Sequence, residues 1–297
     1  MKKKQAITLG TFDGVHTGHQ YLFACLDRFA VKHLLCPKVL YFPLPPRTLL
    51  AERPEMTVLT LPHEKKQLLK QCGVQTTPLD FSRCRSLSPL AFWKQLKEKY
   101  RLGGLLIGPD FAFGKDRSGS VDFLKEQCKK ENIPCEIVSF YQTGHEKISS
   151  SLIRKTLAKG DIPATTALLG RRYELTGTVV KGYKLGRKLG FPTANLDTGV
   201  YKILPLGVFA VKVRVGRNMY NGFCNIGFRP TVNTVNTLLP LVEVHIFDFN
   251  KSIYGRKVTV WFVEKLRNEM KFNSLDELKK QLHDDRTYSK QLLKKVQ

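Results

Sequence analysis

Ala6-Ile7-Thr8-Leu9-Gly10-Thr11-Phe12-Asp13-Gly14-Val15-His16-Thr17-Gly18-His19 is the stretch on which the fold of this 297-residue chain turns. Residues 6–9 read as a short buried strand stopped by Gly10, and the pattern over residues 19–31 reads as a helix. A strand that turns through glycine into a helix offers that helix's free N–H groups and positive dipole end to an anion. His16 and His19 stand three residues apart at the helix start, with Gly18 between them. Two imidazoles there can donate to a phosphate as it gains charge in a transition state, and glycines let the backbone approach the ligand. A lone pair of histidines at this spacing also fits a metal pair or chance. Its place directly after a first strand, behind Asp13 and Gly14, makes it far more specific.

Outward from this stretch, strand-like runs follow at 38–42 (stopped by Pro43, Pro45 and Pro46), at 104–108 and at 133–138. Helical patterns fill 89–100 and 121–130. Strands alternating with helices predict a parallel sheet. From about Tyr173 the chain changes character, with alternating strands at 207–213, 242–247 and 257–262 punctuated by glycine and proline. That is the pattern of a small β-barrel or sandwich. A last helix is announced by a capping box, Ser274 and Glu277, and an apolar stripe of Leu275, Leu278 and Leu282. The boundary falls near residues 160–170.

Hydrophobic residues at 42% and charged residues at 25% exclude a disordered or fibrous chain. No apolar run approaches the roughly 20 residues of a membrane span, and Asp13 and His16 arrive too soon after Met1-Lys2-Lys3-Lys4 for a signal peptide. Seven cysteines without a CxxC pair indicate neither a disulfide framework nor a zinc site, so a reduced, cytoplasmic protein is expected. The net charge is +24, from 26 basic and 15 acidic residues over 1–165 and 23 and 10 over 166–297, so it is not a basic tail. Such charge suits either nucleic acid or sites for small phosphate anions. No aromatic-interleaved basic stripe, RNP motif or zinc finger accompanies it, which argues against nucleic acid.

A second constellation is Lys181-Gly182-Tyr183-Lys184-Leu185-Gly186-Arg187-Lys188-Leu189-Gly190-Phe191-Pro192-Thr193-Ala194-Asn195. A glycine-rich loop presents N–H groups to phosphates, and its bases supply countercharge. Thr193 and Asn195 add two neutral oxygens, which suit Mg²⁺ bound mainly through nucleotide phosphates. On the strand at 242–247, Glu243 and His245 face one side while Val242, Val244 and Ile246 face the other. A carboxylate held at a barrel mouth can take the proton of an alcohol attacking a γ-phosphate, although an isolated strand carboxylate is ordinarily just solvated.

These segments resemble a family. Residues 10–19 resemble the HxGH nucleotidylyltransferases, and in particular the adenylyltransferase module of bacterial bifunctional riboflavin kinase/FAD synthetases. Gly108-Pro109-Asp110-Phe111-Ala112-Phe113-Gly114 is similar to that module's flavin and nucleotide loop, and Ile148-Ser149-Ser150-Ser151-Leu152-Ile153-Arg154 to its phosphate-binding motif. Gly190-Phe191-Pro192-Thr193-Ala194-Asn195, Gly207-Val208-Phe209-Ala210-Val211, Asn225-Ile226-Gly227-Phe228-Arg229-Pro230-Thr231, Glu243-Val244-His245, Leu266-Arg267 and Lys271-Phe272 resemble the riboflavin kinase signature, in the family's order.

The resemblance implies an α/β Rossmann-like nucleotidylyltransferase domain over 1–163. A six-stranded antiparallel β-barrel riboflavin kinase domain with a C-terminal helix follows over 164–297. ATP is the co-substrate and Mg²⁺ the metal, held by Thr193 and Asn195. Riboflavin, FMN and FAD are the other small-molecule partners, with neither nucleic acid nor membrane expected. Glu243, His16, His19 and Arg154 are the implied catalytic residues. Gly10, Phe12, Asp13, Gly14, Gly18, Ser150, Ser151, Gly182, Lys184, Gly186, Arg187, Gly190 and Pro192 would bind ATP phosphates, and Asp110, Phe111, Asn225 and Arg267 the flavin. One position departs from the pattern. The family's usual Pro-His-Pro-Arg stands here as Leu44-Pro45-Pro46-Arg47, with Pro45 in the histidine's place, and Pro45 can neither donate a hydrogen bond nor carry charge. The alternative reading is therefore a riboflavin kinase with an impaired adenylyltransferase domain.

Overall fold

The computed structural model describes residues 3–52, 56–143, 146–182, 185–228 and 240–295. Backbone contacts divide the chain into two compact units, Met1–Pro54 with Val58–Ser150, and Glu55–Thr57 with Ser151–Gln297.

The first unit runs β1 (Gln5–Gly10), α1 (Thr17–Lys32), β2 (Cys36–Tyr41), α2 (Pro46–Leu50), α3 (Pro62–Gln71), β3 (Thr76–Pro78), α4 (Phe81–Cys84), α5 (Pro89–Glu98), β4 (Leu102–Ile107), α6 (Val121–Lys130), β5 (Cys135–Ile137) and a short hairpin, β6 (Gln142–Thr143) with β7 (Glu146–Lys147). The five-stranded sheet has the order β3-β2-β1-β4-β5 and its pairs are all parallel. Each central strand buries both faces. Ala6, Val39 and Leu106 pack with Phe23, Leu26 and Phe29 of α1 and Leu68 and Leu69 of α3. Ile7, Leu40 and Leu105 pack with Phe92, Trp93 and Leu96 of α5 and Leu124 of α6. This explains why the strands read as unbroken apolar runs rather than alternating ones. The order reverses between β1 and β4, and in such sheets ligands bind beyond the carboxyl ends of the strands at that switch point. The loop over residues 11–16 leaves β1 there.

The second unit opens with α7 (Ser150–Lys159) and α8 (Ile162–Leu169), followed by β8 (Glu174–Val180), α9 (Leu185–Lys188), β9 (Thr193–Asp197), β10 (Gly207–Val215), β11 (Asn218–Gly227), β12 (Leu241–Ile246), β13 (Lys257–Arg267) and α10 (Leu275–Lys294). The strands close into an antiparallel barrel of order β10-β11-β12-β9-β8-β13, which resolves the choice between barrel and sandwich. Cys224, Val242, Val244, Val260 and Phe262 are buried in strand positions alternating with those facing α10. Phe191, Val208, Ala210 and Phe223 pack instead with Leu282, Leu292 and Leu293, so α10 covers part of the barrel's outer wall.

Ser274 caps α10 by accepting from the Glu277 N–H, while the Glu277 carboxylate takes the N–H of Asn273 rather than that of Ser274. The predicted stripe needs one correction. Leu275 is 59% exposed, because the helix turns its inner face to the barrel only from Leu278 and Leu282 onward. Among the described residues no helix is long and apolar enough to cross a membrane.

Candidate active sites

In the first unit the histidine loop is held from beneath. The Asp13 carboxylate is 2% exposed and accepts from the N–H groups of Leu59 (3.1 Å) and Thr60 (3.1 Å) and from the Thr60 hydroxyl (3.2 Å). The Gly14 N–H donates to Thr60 Oγ1, and Ser150 Oγ donates to the Asp13 carbonyl at 2.8 Å. Arg47 Nη2 lies 3.6 Å from Asp13 Oδ2. Asp13, expected to meet phosphate, thus has its carboxylate turned to the strap at 59–60 and shapes the loop. Asp13→Ala would leave these buried N–H groups without their acceptor, so urea unfolding of the first unit should register a loss of about 2–4 kcal/mol. Unchanged stability would show that the loop holds itself.

The backbone here is strained. Phe12 (φ 44°) and Val15 (φ 42°) adopt left-handed conformations, an outlier for a β-branched residue and a mark of functional loops. His16 caps α1, its Nδ1 accepting the His19 N–H at 3.3 Å, so in the neutral ring the proton resides on Nε2. The imidazoles of His16 and His19 stack with centroids 3.5 Å apart, and Phe12 packs edge-on against His19 at 5.2 Å. Gly18 permits this, since a Cβ would come within 3.2 Å of the His16 ring. Gly10 ends β1. Asp110 is exposed and ion-pairs with Lys147 at 2.7 Å, and Phe111 stacks at 5.7 Å on Phe113. Pro45 is buried and opens α2 without a side-chain cap.

In the second unit, Ser151 is exposed on α7, and Arg154 donates through Nη2 to the Thr57 carbonyl at 3.2 Å. The barrel's register lines up the remaining polar positions. Arg267 is opposite Val208, Val208 opposite Asn225, Asn225 opposite Glu243 and Glu243 opposite Asn195, a single row across five strands. Thr193 lies one row along, opposite His245.

A cavity of about 180 Å³ opens on this row, lined by Gly186, Thr193, Asn225, Glu243 and Arg267 among others, with Leu278, Leu282 and Asp285 of α10 forming its far side. Glu243 therefore belongs to the outer wall under α10 and not to a barrel mouth. The two-residue period identifies two faces, but α10 decides that the polar one is outside. Asn195 rests on Gly182, where a Cβ would collide with its carboxamide.

His245 is buried among Phe191, Phe223 and Phe247, and its Nδ1 donates to the Pro192 carbonyl at 2.8 Å. Burial lowers its pKa, in keeping with a packing role. The same lack of water raises the Cys224 thiol, with the nearby Glu243 charge adding to it. Arg187 is exposed, and Gly190 turns the chain with φ 83°. Lys184, Arg229, Pro230 and Thr231 lie outside the described residues.

Two residues carry weight that their sequence context did not announce. Asp285, 3% exposed, holds Arg267 through two-pronged contacts of 2.8–3.2 Å. Charge-assisted pairing of this kind fixes a guanidinium in place. Lys65, on α3, has none of its surface exposed. Asp285 stands in a run of charges and Lys65 in a polar helix, and neither setting signals burial.

The FAD synthetase family model matches residues 1–152 and the riboflavin kinase model residues 169–293. The chain is 34% identical over 287 residues to the bifunctional riboflavin kinase/FMN adenylyltransferase of Bacillus subtilis, covering 95% of this chain and 90% of the relative. It is 37% identical over 285 residues to that of Haemophilus influenzae (94% and 91%) and 35% over 288 to that of Escherichia coli K12 (94% and 90%). A solved Streptococcus pneumoniae chain described as a macrolide-efflux protein superposes with a TM-score of 0.83 at 31% identity, covering 98% of this chain and 95% of that one. With a histidine loop at a parallel sheet's switch point, a barrel row ending on Glu243 and Asn195, and relatives matched over nearly their whole length, this chain belongs to the bifunctional riboflavin kinase/FMN adenylyltransferase family.

Proposed function

We propose that the chain makes FAD in two steps: ATP phosphorylates riboflavin to FMN, and a second ATP transfers AMP to FMN, releasing pyrophosphate. The observation that carries this reading is the row Arg267–Asn225–Glu243–Asn195, of which Arg267, Asn225 and Glu243 line one cavity together with Thr193, while the other unit carries stacked imidazoles at a helix start. We assign adenylyl transfer to residues 1–163 and phosphorylation to 164–297. The cytoplasm is its proposed location, in keeping with seven free thiols.

In the first step Glu243 accepts the proton of the riboflavin hydroxyl as its oxygen bonds to the γ-phosphorus and the bond to ADP breaks. Asn225 and Arg267 position the flavin, and Gly182, Gly186, Arg187, Gly190 and Pro192 shape the phosphate loop. Thr193 and Asn195 would hold Mg²⁺, which when bound neutralises phosphate charge. Their neutral oxygens suit a hard cation that takes most of its ligands from nucleotide and water, and Gly182 leaves the room that the Asn195 carboxamide needs. In the second step an FMN phosphate oxygen attacks the α-phosphorus of ATP. His16 and His19 stabilise the charge that develops, Ser150, Ser151 and Arg154 serve the phosphates, and Asp110 and Phe111 the flavin. Each acceptor is the flavin itself, so no enzyme nucleophile is required.

The test is to incubate the full chain with Mg·ATP and either riboflavin or FMN, and to resolve riboflavin, FMN and FAD by chromatography. Riboflavin should yield FMN and then FAD, chelation of magnesium should stop both steps, and Asn195→Ala should raise the magnesium needed for the first. Absence of FMN would overturn the reading. Normal magnesium dependence in Asn195→Ala would reduce that residue to a turn.

A further inference from the structure

Lys65 presents a problem that the reaction steps leave open. Its ammonium is wholly buried, and placing a charge there is costly. Leu68 and Leu69 already supply α3 with its apolar packing, so filling space does not explain a lysine. What it does is specific: Nζ donates to the carbonyls of Thr11 at 2.8 Å and Phe42 at 2.9 Å. These are the first residues beyond β1 and β2, whose parallel pairing ends at Gly10 and Tyr41. The Phe42 N–H still reaches the Gly10 carbonyl at 3.2 Å, and from there the two loops part. One carries His16 and His19; the other runs through Pro45 to Arg47.

We propose that Lys65 is a positioning residue for adenylyl transfer, its ammonium pinning the Thr11 and Phe42 carbonyls to one point and so fixing the histidine loop against the loop after β2. The proposal rests on the adenylyl-transfer reading above. Lys65 does not reach the surface and touches no substrate. The charged groups around it are Asp13 of the histidine loop and, through Asp13, Arg47 of α2, while its neighbour Glu64 accepts the Leu61 N–H. Burial brings its pKa down from 10.5 to about 8, with the Asp13 charge working in the other direction. Above that pH a neutral amine donates more weakly and no longer complements Asp13.

The sign of the linkage separates positioning from stability. The folded pKa lies below the unfolded one, so between about 8 and 10.5 the unfolded chain binds more protons and this group's contribution to stability rises with pH. Activity should fall across the lower part of the range in which that contribution improves.

The experiment measures FAD formation from FMN and Mg·ATP, and FMN formation from riboflavin, in full-length wild type, Lys65→Met and Lys65→Arg between about pH 6.5 and 9.5. Wild-type FAD formation should drop by about tenfold with a midpoint near pH 8, a step absent from FMN formation. Lys65→Met should lose about 10–100-fold in kcat with little change in KM for ATP, since misplacing a loop costs turnover, and should lack the alkaline step. Lys65→Arg, charged throughout, should recover part of the rate without the step.

Wild-type kcat in Lys65→Met, the same alkaline step in that variant, or a parallel loss of FMN formation would overturn the proposal. Should Lys65→Met fail to fold, the wild-type profile decides, and FAD formation that stays flat through pH 8 is the overturning result. A wild type that makes no FAD from FMN removes the underlying reading and the proposal together. A Lys65→Met variant that makes FAD as well as the wild type removes only the proposal.

Discussion

Glu243→Gln should slow FMN formation by about 10²–10⁴-fold, the usual contribution of a general base, while ATP binding measured by calorimetry stays intact. The amide has the shape of the carboxylate, so the row it shares with Asn225 and Asn195 keeps its register. What is lost is the group that takes the hydroxyl proton. Phosphoryl transfer draws most of its acceleration from positioning and charge neutralisation, which places the expected effect toward the lower end of that range. Normal turnover would make Glu243 a structural carboxylate of the outer wall and move the search for a base elsewhere in the cavity.

His19→Ala should depress FAD formation by about 10²–10³-fold, the cost of one donor aimed at a developing charge. It removes the ring stacked at 3.5 Å on His16 but leaves the Nδ1 cap on a backbone N–H, so α1 keeps its start. The assay starts from FMN, which prevents any kinase defect from masking the result. The wild type should itself be active though slowed by a comparable factor, because Pro45 supplies no donor where the pattern that the chain resembles has a histidine. A folded wild type that makes FMN but no FAD would favour the kinase with an impaired partner domain. FAD formation undiminished in His19→Ala would dismiss the stacked pair as the charge-stabilising element.

Much of the architecture was legible because its signals are local. Residues 121–130 satisfy helix periodicity from end to end and form α6 with those bounds. The glycine-ended run at 6–9 could only continue as β1 into a loop. Strands β9 and β11 carry no clear strand signal because Thr193, Asn195, Asn221 and Asn225 interrupt the apolar pattern on the face that lies toward the cavity. The helix α3 is hidden for another reason: Pro62-His63-Glu64-Lys65-Lys66-Gln67 reads as solvated surface, and only the tertiary fold turns Lys65 inward while Lys66 stays exposed. The candidate residues of the barrel were legible as a set through the family pattern. Their meeting in one row was not, because register between strands distant in sequence is fixed by closure of the barrel.

The placement of that row on the outer wall has an evolutionary consequence. Along β12, neighbouring side chains answer to different masters: Val242, Val244 and Ile246 to the barrel's interior, Glu243 and His245 to the layer beneath α10. Selection can therefore act on the cavity-lining side while His245 and the even-numbered positions go on guarding the scaffold. A lineage exploring new substrates would keep its barrel and vary the residues that line this outer cavity.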